Sequence, residues 1–170
     1  MRPERLSFMG HARDLHKGSI LPTCPRLHLV FPSDELAVRK ALKSSMAGLA
    51  HMDMSADEKG TVELVLAEVL NNVVEHAYGG AGQGVIELDV SRDDDILVFD
   101  VLDDGLPMPD GETPAGRPLD LDTCAEQDLP EGGFGWFLIR ELTQDLTYRR
   151  DGNRNHLSFK MRLGDKYRPN

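Results

Sequence analysis

The sequence predicts a two-layer α/β (α+β) sandwich: a mixed, mostly antiparallel sheet with helices on one face. Three observations carry this. The apolar patterning runs strand, helix, helix, two strands, long loop, helix, two strands. Short polar turns join two of the strand pairs, and strands joined by hairpins cannot all be parallel. The segment Ile96–Leu102 is nearly all apolar and calls for a covering layer of helix.

The elements follow in order. Residues 1–26 form an N-terminal extension, basic-leaning and without a sustained period; a floppy arm and a partner-binding arm both stay open. Leu27–Phe31 alternates as a strand. Pro32-Ser33-Asp34 then opens a helix, with Ser33 or Asp34 as its N-cap. Leu36, Val38, Leu42, Met46 and Leu49 supply its apolar positions. A second helix starts at Ser55, with Glu58 three residues on in capping-box spacing. It runs to His76 or Tyr78, where Gly79-Gly80 ends it.

Val85–Val90 and Ile96–Leu102 make a hairpin across the polar turn 91–95. Residues 105–131 lose periodicity and gain Gly, Pro and Asp; a structureless loop of that length is uncommon unless it is functional. A third helix fits Gly135–Leu142. Leu146–Tyr148 and the alternating Leu157, Phe159, Met161 and Leu163 frame a second hairpin, turning at Asp151-Gly152. Residues 164–170 are a tail.

Composition bounds the function. The chain has 170 residues, 40% of them hydrophobic and 28% charged, which suits one globular domain. Its net charge of −10 argues against broad, sequence-independent binding to nucleic acid. It does not forbid one nucleotide in a local pocket. Cys24 and Cys124 stand far apart, so neither a disulfide framework nor a structural zinc site is expected. No stretch approaches a membrane span, and the N-terminus has no signal-peptide h-region. The expectation is a soluble cytoplasmic protein.

Three motifs carry chemistry. On the second helix, Glu68, Asn72 and His76 are spaced four apart and form a polar stripe opposite Leu66, Val69, Leu70, Val73 and Ala77. Asn is locally unfavourable inside a helix. Its amide oxygen suits Mg²⁺, and Glu68 one turn away could deprotonate a hydroxyl; taken alone, the stripe reads more readily as a solvated polar face. At the end of the apolar strand stands Asp103-Asp104-Gly105. A carboxylate there can accept from an exocyclic amine, and Gly105 lets backbone approach a ring; a strand-ending turn also uses these residues. Third, Gly132-Gly133-Phe134-Gly135 leads into a helix, whose N-terminal amides favour phosphate; a hinge is the plain alternative. The P-loop pattern is absent, and no strand precedes these glycines, so a dinucleotide-binding fold fits poorly.

At these motifs the sequence resembles the GHKL superfamily of ATP-binding domains, above all its bacterial anti-sigma-factor serine/threonine kinases. EVLNNVVEHAY (68–78) looks like the N-box, VLDDGLPMPD (101–110) the D-x-G-x-P segment, and residues 129–160 the glycine box and terminal hairpin. The resemblance covers roughly residues 27–163. It implies the Bergerat fold, with Glu68 as catalytic base and Asn72 as Mg²⁺ ligand. Asp103 would read adenine, while His76, Gly105, Gly132, Gly133, Phe134 and Gly135 line or shape the ATP pocket. Residues 108–131 would be the ATP lid. It further implies a homodimer that binds a sigma factor and phosphorylates a STAS-domain antagonist. An ATP-responsive binding module without kinase activity is the alternative, and a scaffold that binds no nucleotide a third.

Overall fold

The computed structural model describes residues 26–80, 82–116 and 134–164. The expectations for residues 1–25, Cys24, Cys124, Gly132, Gly133, positions 117–131 of the long loop and the tail after residue 164 lie outside these.

Strand β1 (Arg26–Pro32) leads into helix α1 (Glu35–Gly48). Asp34, not Ser33, caps the helix: its carboxylate accepts from the Ala37 amide at 2.8 Å. Ser33 is buried instead and accepts from the Gly84 amide at 2.9 Å. Val38, Ala41 and Leu49 of this segment enter the core, whereas Leu36 is 61% exposed. Leu36 stands two residues before Val38, roughly 200° around the helix, so it faces away.

Helix α2 (Ala56–Asn72) begins with a complete capping box. Ser55 N donates to Glu58 Oε2 at 2.7 Å, and Glu58 N donates to Ser55 Oγ at 3.2 Å. Val62, Val65, Leu66, Val69 and Leu70 are buried, an apolar stripe at helical spacing. The predicted helix to His76 or Tyr78 changes its winding on the way. After Asn72 the chain widens into a single π-helical turn, Val73–Ala77. Partners from beyond the turn hold it: Gly80 N donates to Val74 O and Leu106 N to Ala77 O, both at 2.9 Å.

Strands β2 (Val85–Asp93) and β3 (Ile96–Asp103) form the first hairpin. Helix α3 (Phe134–Leu142) precedes the second, β4 (Gln144–Asp151) and β5 (Arg154–Arg162). The five strands lie in the order β1-β2-β3-β5-β4. Every neighbouring pair is antiparallel, so the sheet is not mixed as expected. The physical reason is the position of β5. It inserts between β3 and β4, which run in the same direction, and so keeps them from forming a parallel pair.

One sheet face carries Ile86, Leu88, Val90, Leu97, Phe99, Val101, Leu157, Phe159 and Met161, all buried in one core with residues of the three helices. Phe99 and Phe159 face each other in register and stack at 4.8 Å between ring centroids. Burying each such ring is worth about 1.5–3 kcal/mol. On the other face, half-buried Val98 and Leu102 sit among polar pairs such as the Arg154–Glu87 ion pair and the His156–Asp100 hydrogen bond, both at 2.6 Å. Among the described residues no helix is long and apolar enough to cross a membrane. The inward alternation of β3 and β5 ends in two polar residues, Asp103 and Asn155, and there the sheet opens onto the site.

Candidate functional site

Glu68 and Asn72 are half-buried and His76 is exposed at the C-terminal end of α2 and the π-turn. Asn72 Nδ2 donates to the Glu68 carbonyl at 2.7 Å. A carbonyl only accepts, so the amide nitrogen must face it and Oδ1 turns away from the helix. This back-bond gives the helical asparagine a local partner. It also presents a neutral oxygen of the hard type that Mg²⁺ takes. The π-turn begins at the next residue, and such turns are frequent at functional sites.

Helix α3 meets α2 at this point. A Cβ built on Gly135 would collide with Glu68 Oε2 and lie 3.6 Å from Asn72 Nδ2. Gly135 therefore brings the first turn of α3 against both side chains. Among the described residues none hydrogen-bonds the Glu68 carboxylate. Phe134, half-buried, starts the helix.

Asp103 ends β3 and is 6% exposed. Its Oδ1 accepts from Gly105 N and from Asn155 Nδ2, both at 2.8 Å. Oδ2 takes neither bond. Burial pushes the Asp103 carboxyl above its usual range, against the opposing pull of the Asn155 and Gly105 bonds. Desolvation outweighs the hydrogen bonds here. Gly105 makes its close approach to protein: a Cβ there would lie 2.6 Å from Ala77 O and 2.7 Å from Ala77 Cβ. Its missing side chain lets the strand-end turn seat against the π-turn.

A cavity of about 450 Å³ lies between these elements. Asp103 and Asn155 line it from the sheet, Asn72 and His76 from α2 and the π-turn, and Trp136 from α3. Val69, Val73, Leu106, Met108, Tyr148 and Leu157 add apolar wall. A mostly apolar cleft with a few convergent polar groups is the usual form of a small-ligand site. A flat heteroaromatic ring carrying an amine fits this lining, since Asp103 Oδ2 can accept from the amine. Among the described residues no cluster of three or more His, Cys, Asp or Glu could hold a metal by itself. Asn72 Oδ1 is an oxygen of the type Mg²⁺ takes, and that ion keeps waters and substrate phosphates among its ligands.

The structure thus gathers Asn72, His76 and Asp103 around one cavity, and sets Glu68 and Gly135 at its Asn72 edge. Gly105 lies behind Asp103, against Ala77. The sequence reading missed Asn155, Tyr148 and Trp136. Asn155 had a signal: the alternation Leu157, Phe159, Met161 extended one step back puts position 155 on the core face, where a polar residue needs a reason. The π-turn had none.

Comparisons with known proteins bear on the family and the fold. The family model for the histidine kinase-like ATPase domain matches residues 31–161. The anti-sigma F factor of Bacillus licheniformis is 28% identical over 101 residues, 59% of this chain and 66% of that protein. The match thus spans just under two thirds of that relative's length. The anti-sigma F factor of Geobacillus stearothermophilus is 23% identical over 128 residues, 75% of this chain and 85% of that one. Among solved structures, the RsbU and RsbW domains of Rv1364c from Mycobacterium tuberculosis superpose with a TM-score of 0.56 at 16% identity, covering 82% of this chain and 32% of that one. That likeness shows the fold.

Proposed function

Since the chain belongs to the histidine kinase-like ATPase domain family, we propose that it is a Mg²⁺-ATP-dependent serine/threonine kinase and anti-sigma factor of a partner-switching system. The phosphorylated partner would be a small STAS-domain antagonist. The observation that carries this reading is the pairing at Gly135. A carboxylate (Glu68) and an outward-turned amide oxygen (Asn72) stand one turn apart, beside a cavity lined by the carboxylate acceptor Asp103. The similarity to two anti-sigma F factors supports the partner class.

In this reading Asp103 Oδ2 accepts from the adenine amine, and the apolar wall covers the ring. Asn72 Oδ1 would hold Mg²⁺, which when bound neutralises phosphate charge. The first amides of α3, near Gly135, face developing negative charge. Glu68 takes the proton of the acceptor hydroxyl as that oxygen bonds the γ-phosphorus and the bond to ADP breaks. Phosphoryl transfer asks mainly for positioning and charge neutralisation, which these groups supply. Residues 27–163 would be the catalytic domain and residues 108–131 its lid. A homodimer would form at β1 and α1, where Val30 is 56% and Leu36 61% exposed. All of this suits a cytoplasmic setting.

The test uses a lysate from a strain lacking the protein, labelled ATP, Mg²⁺, and either wild type or Glu68→Ala. A small protein labelled only by wild type is the expected result. Loss of the base should slow transfer about 10²–10⁴-fold while ATP binding stays. Transfer at the wild-type rate by Glu68→Ala would remove Glu68 from this role. ATP binding with no labelled protein, the partner being present, would favour the binding module without kinase activity.

A further inference from the structure

Asn155 is 4% exposed and is the direct cross-strand partner of Asp103. Its carboxamide is held at both ends. Oδ1 accepts from the Tyr148 hydroxyl at 2.7 Å and from Arg150 Nη1 at 2.5 Å. Those two donors leave only one orientation of the amide: Nδ2 must point toward Asp103. There it reaches Asp103 Oδ1 at 2.8 Å, Leu106 O at 3.0 Å and Gly105 O at 3.4 Å. An amide nitrogen has two hydrogens, so the two shorter bonds dominate and Gly105 O takes the remainder. Gly105 O also accepts from Arg150 Nη1 at 3.0 Å.

The consequence falls on Asp103. Two donors on one oxygen fix the rotation of the carboxylate, and Oδ2 becomes the oxygen free of both. We infer that Asn155 is the positioning residue that makes Asp103 selective, by holding its carboxylate so that only a bare acceptor meets the base. An amino group on the ring then finds a partner. A keto oxygen in the same place meets a second acceptor and is rejected. Buried acceptors discriminate in this way because the wrong partner leaves them unpaired. The inference rests on the reading of the cavity as an adenine-nucleotide site and adds the device that sets its base selectivity.

The same chain of bonds extends outward. Tyr148, which donates to Asn155, accepts from the Met108 amide at 3.1 Å. Met108 N–H, Tyr148 O–H, Asn155 and Asp103 Oδ1 therefore form one directional series. It ties the residue where the proposed lid begins to the carboxylate that reads the base. Tyr148 acts through Asn155, so removing its hydroxyl loosens the device without removing it.

Calorimetry on the full chain with ATP and with purine riboside triphosphate, which lacks the 6-amino group, tests this. Wild type should bind ATP at least about tenfold tighter than the desamino analogue, the worth of one good base hydrogen bond. In Asn155→Ala the ratio should collapse toward one, because ATP affinity falls while the analogue's stays. Tyr148→Phe should shrink the ratio part of the way, and it carries the test if Asn155→Ala does not fold. A residue that merely supports the fold would weaken both nucleotides together. An unchanged ratio in folded variants therefore overturns the inference and leaves the nucleotide site standing. Failure of wild type to bind ATP overturns both.

Discussion

Gly135 of α3 sits so close to Glu68 of α2 that a single methyl group at position 135 would collide with the Glu68 carboxylate, its Cδ lying 3.4 Å away. The obstructed atom is the far end of a flexible side chain, so the fold can accommodate the methyl. Ala also favours a helix over Gly by up to about 1 kcal/mol. Gly135→Ala should therefore match or exceed wild type in denaturant stability. The carboxylate, however, must swing aside, and a misplacement of about 1 Å can cost 10²-fold in rate. Stability kept with phosphoryl transfer reduced toward that extent is the expected outcome. Transfer at the wild-type rate would show that Glu68 needs no fixed place.

Much of this arrangement is legible in the sequence, and the rest fails for identifiable reasons. Ser55 and Glu58 announce the start of α2 because a capping box is local chemistry. Period-two alternation gives the inward faces of β2 and β5 for the same reason, whereas β3 is too uniformly apolar to show which face turns inward. The π-turn at Val73–Ala77 is different. It depends on Leu106 N and Gly80 N reaching back to its carbonyls, and Leu106 is far along the chain. Gly105 shows a related limit: a glycine after Asp103 is readable, but its contact with Ala77 is tertiary. Asn155 was hidden by neither. Extending the alternation of Leu157, Phe159 and Met161 one step back would place it inside, and its pairing opposite Asp103 gives that placement meaning.

Asp103→Asn should reverse the hydrogen-bond preference of the cavity. In the variant the amide oxygen takes the place of Oδ1, accepting from Gly105 N and Asn155 Nδ2. The amide nitrogen then replaces Oδ2 and points a donor where an acceptor stood. ATP affinity should fall by roughly ten- to a hundredfold, while ITP, which carries a keto oxygen, loses far less. Competition binding with both nucleotides measures this. Equal losses for the two would mean that position 103 does not face the base.

The same substitution has a pH signature in stability. Burial raises the folded-state pKa of Asp103 above the ordinary 3.8, so the folded protein holds this proton to a higher pH than the unfolded chain does. The associated stabilisation is full below pH 3.8 and is lost as pH rises through the folded pKa. Asp103→Asn removes that dependence. Its stability relative to wild type should therefore rise with pH across this window in urea titrations. A flat difference would mean that the carboxyl is not desolvated in solution.

Glu58 runs the opposite way. Its bonds from Gly164 N, then Ser55 N and the Ser55 side chain, lower its pKa below 4.5. The stabilisation it gives is present above pH 4.5 and disappears as pH falls through the folded value. Glu58→Gln keeps an acceptor but loses the charge, and should be less stable than wild type at pH 7 and level with it in strong acid. Ser55→Ala breaks the other half of the box and should cost about 1 kcal/mol by urea unfolding. Wild-type stability in Ser55→Ala would show that the cap is not formed.

Arg140 fastens the described beginning of the proposed lid to α3. Its Nη2 donates to Thr113 O and Thr113 Oγ1, both at 2.7 Å, and its Nε to Pro114 O at 2.8 Å. Three bonds from one guanidinium hold two successive residues of the backbone. Gly116, at φ +74°, then passes so close to Phe137 that a Cβ would collide with its backbone amide. Here the obstacle is backbone, which cannot swing aside. Both contacts lie on exposed or half-buried surface away from the main core, so losing them should change global stability by less than about 1 kcal/mol. Their effect falls on where the segment after residue 112 is held. Arg140→Ala and Gly116→Ala should each speed ATP dissociation several-fold in stopped-flow measurements while leaving the base selectivity at Asp103 unchanged. The two variants act on one attachment, so combining them should add little to either alone. Independent, multiplying effects on the dissociation rate would show instead that Arg140 and Gly116 hold separate parts of the chain.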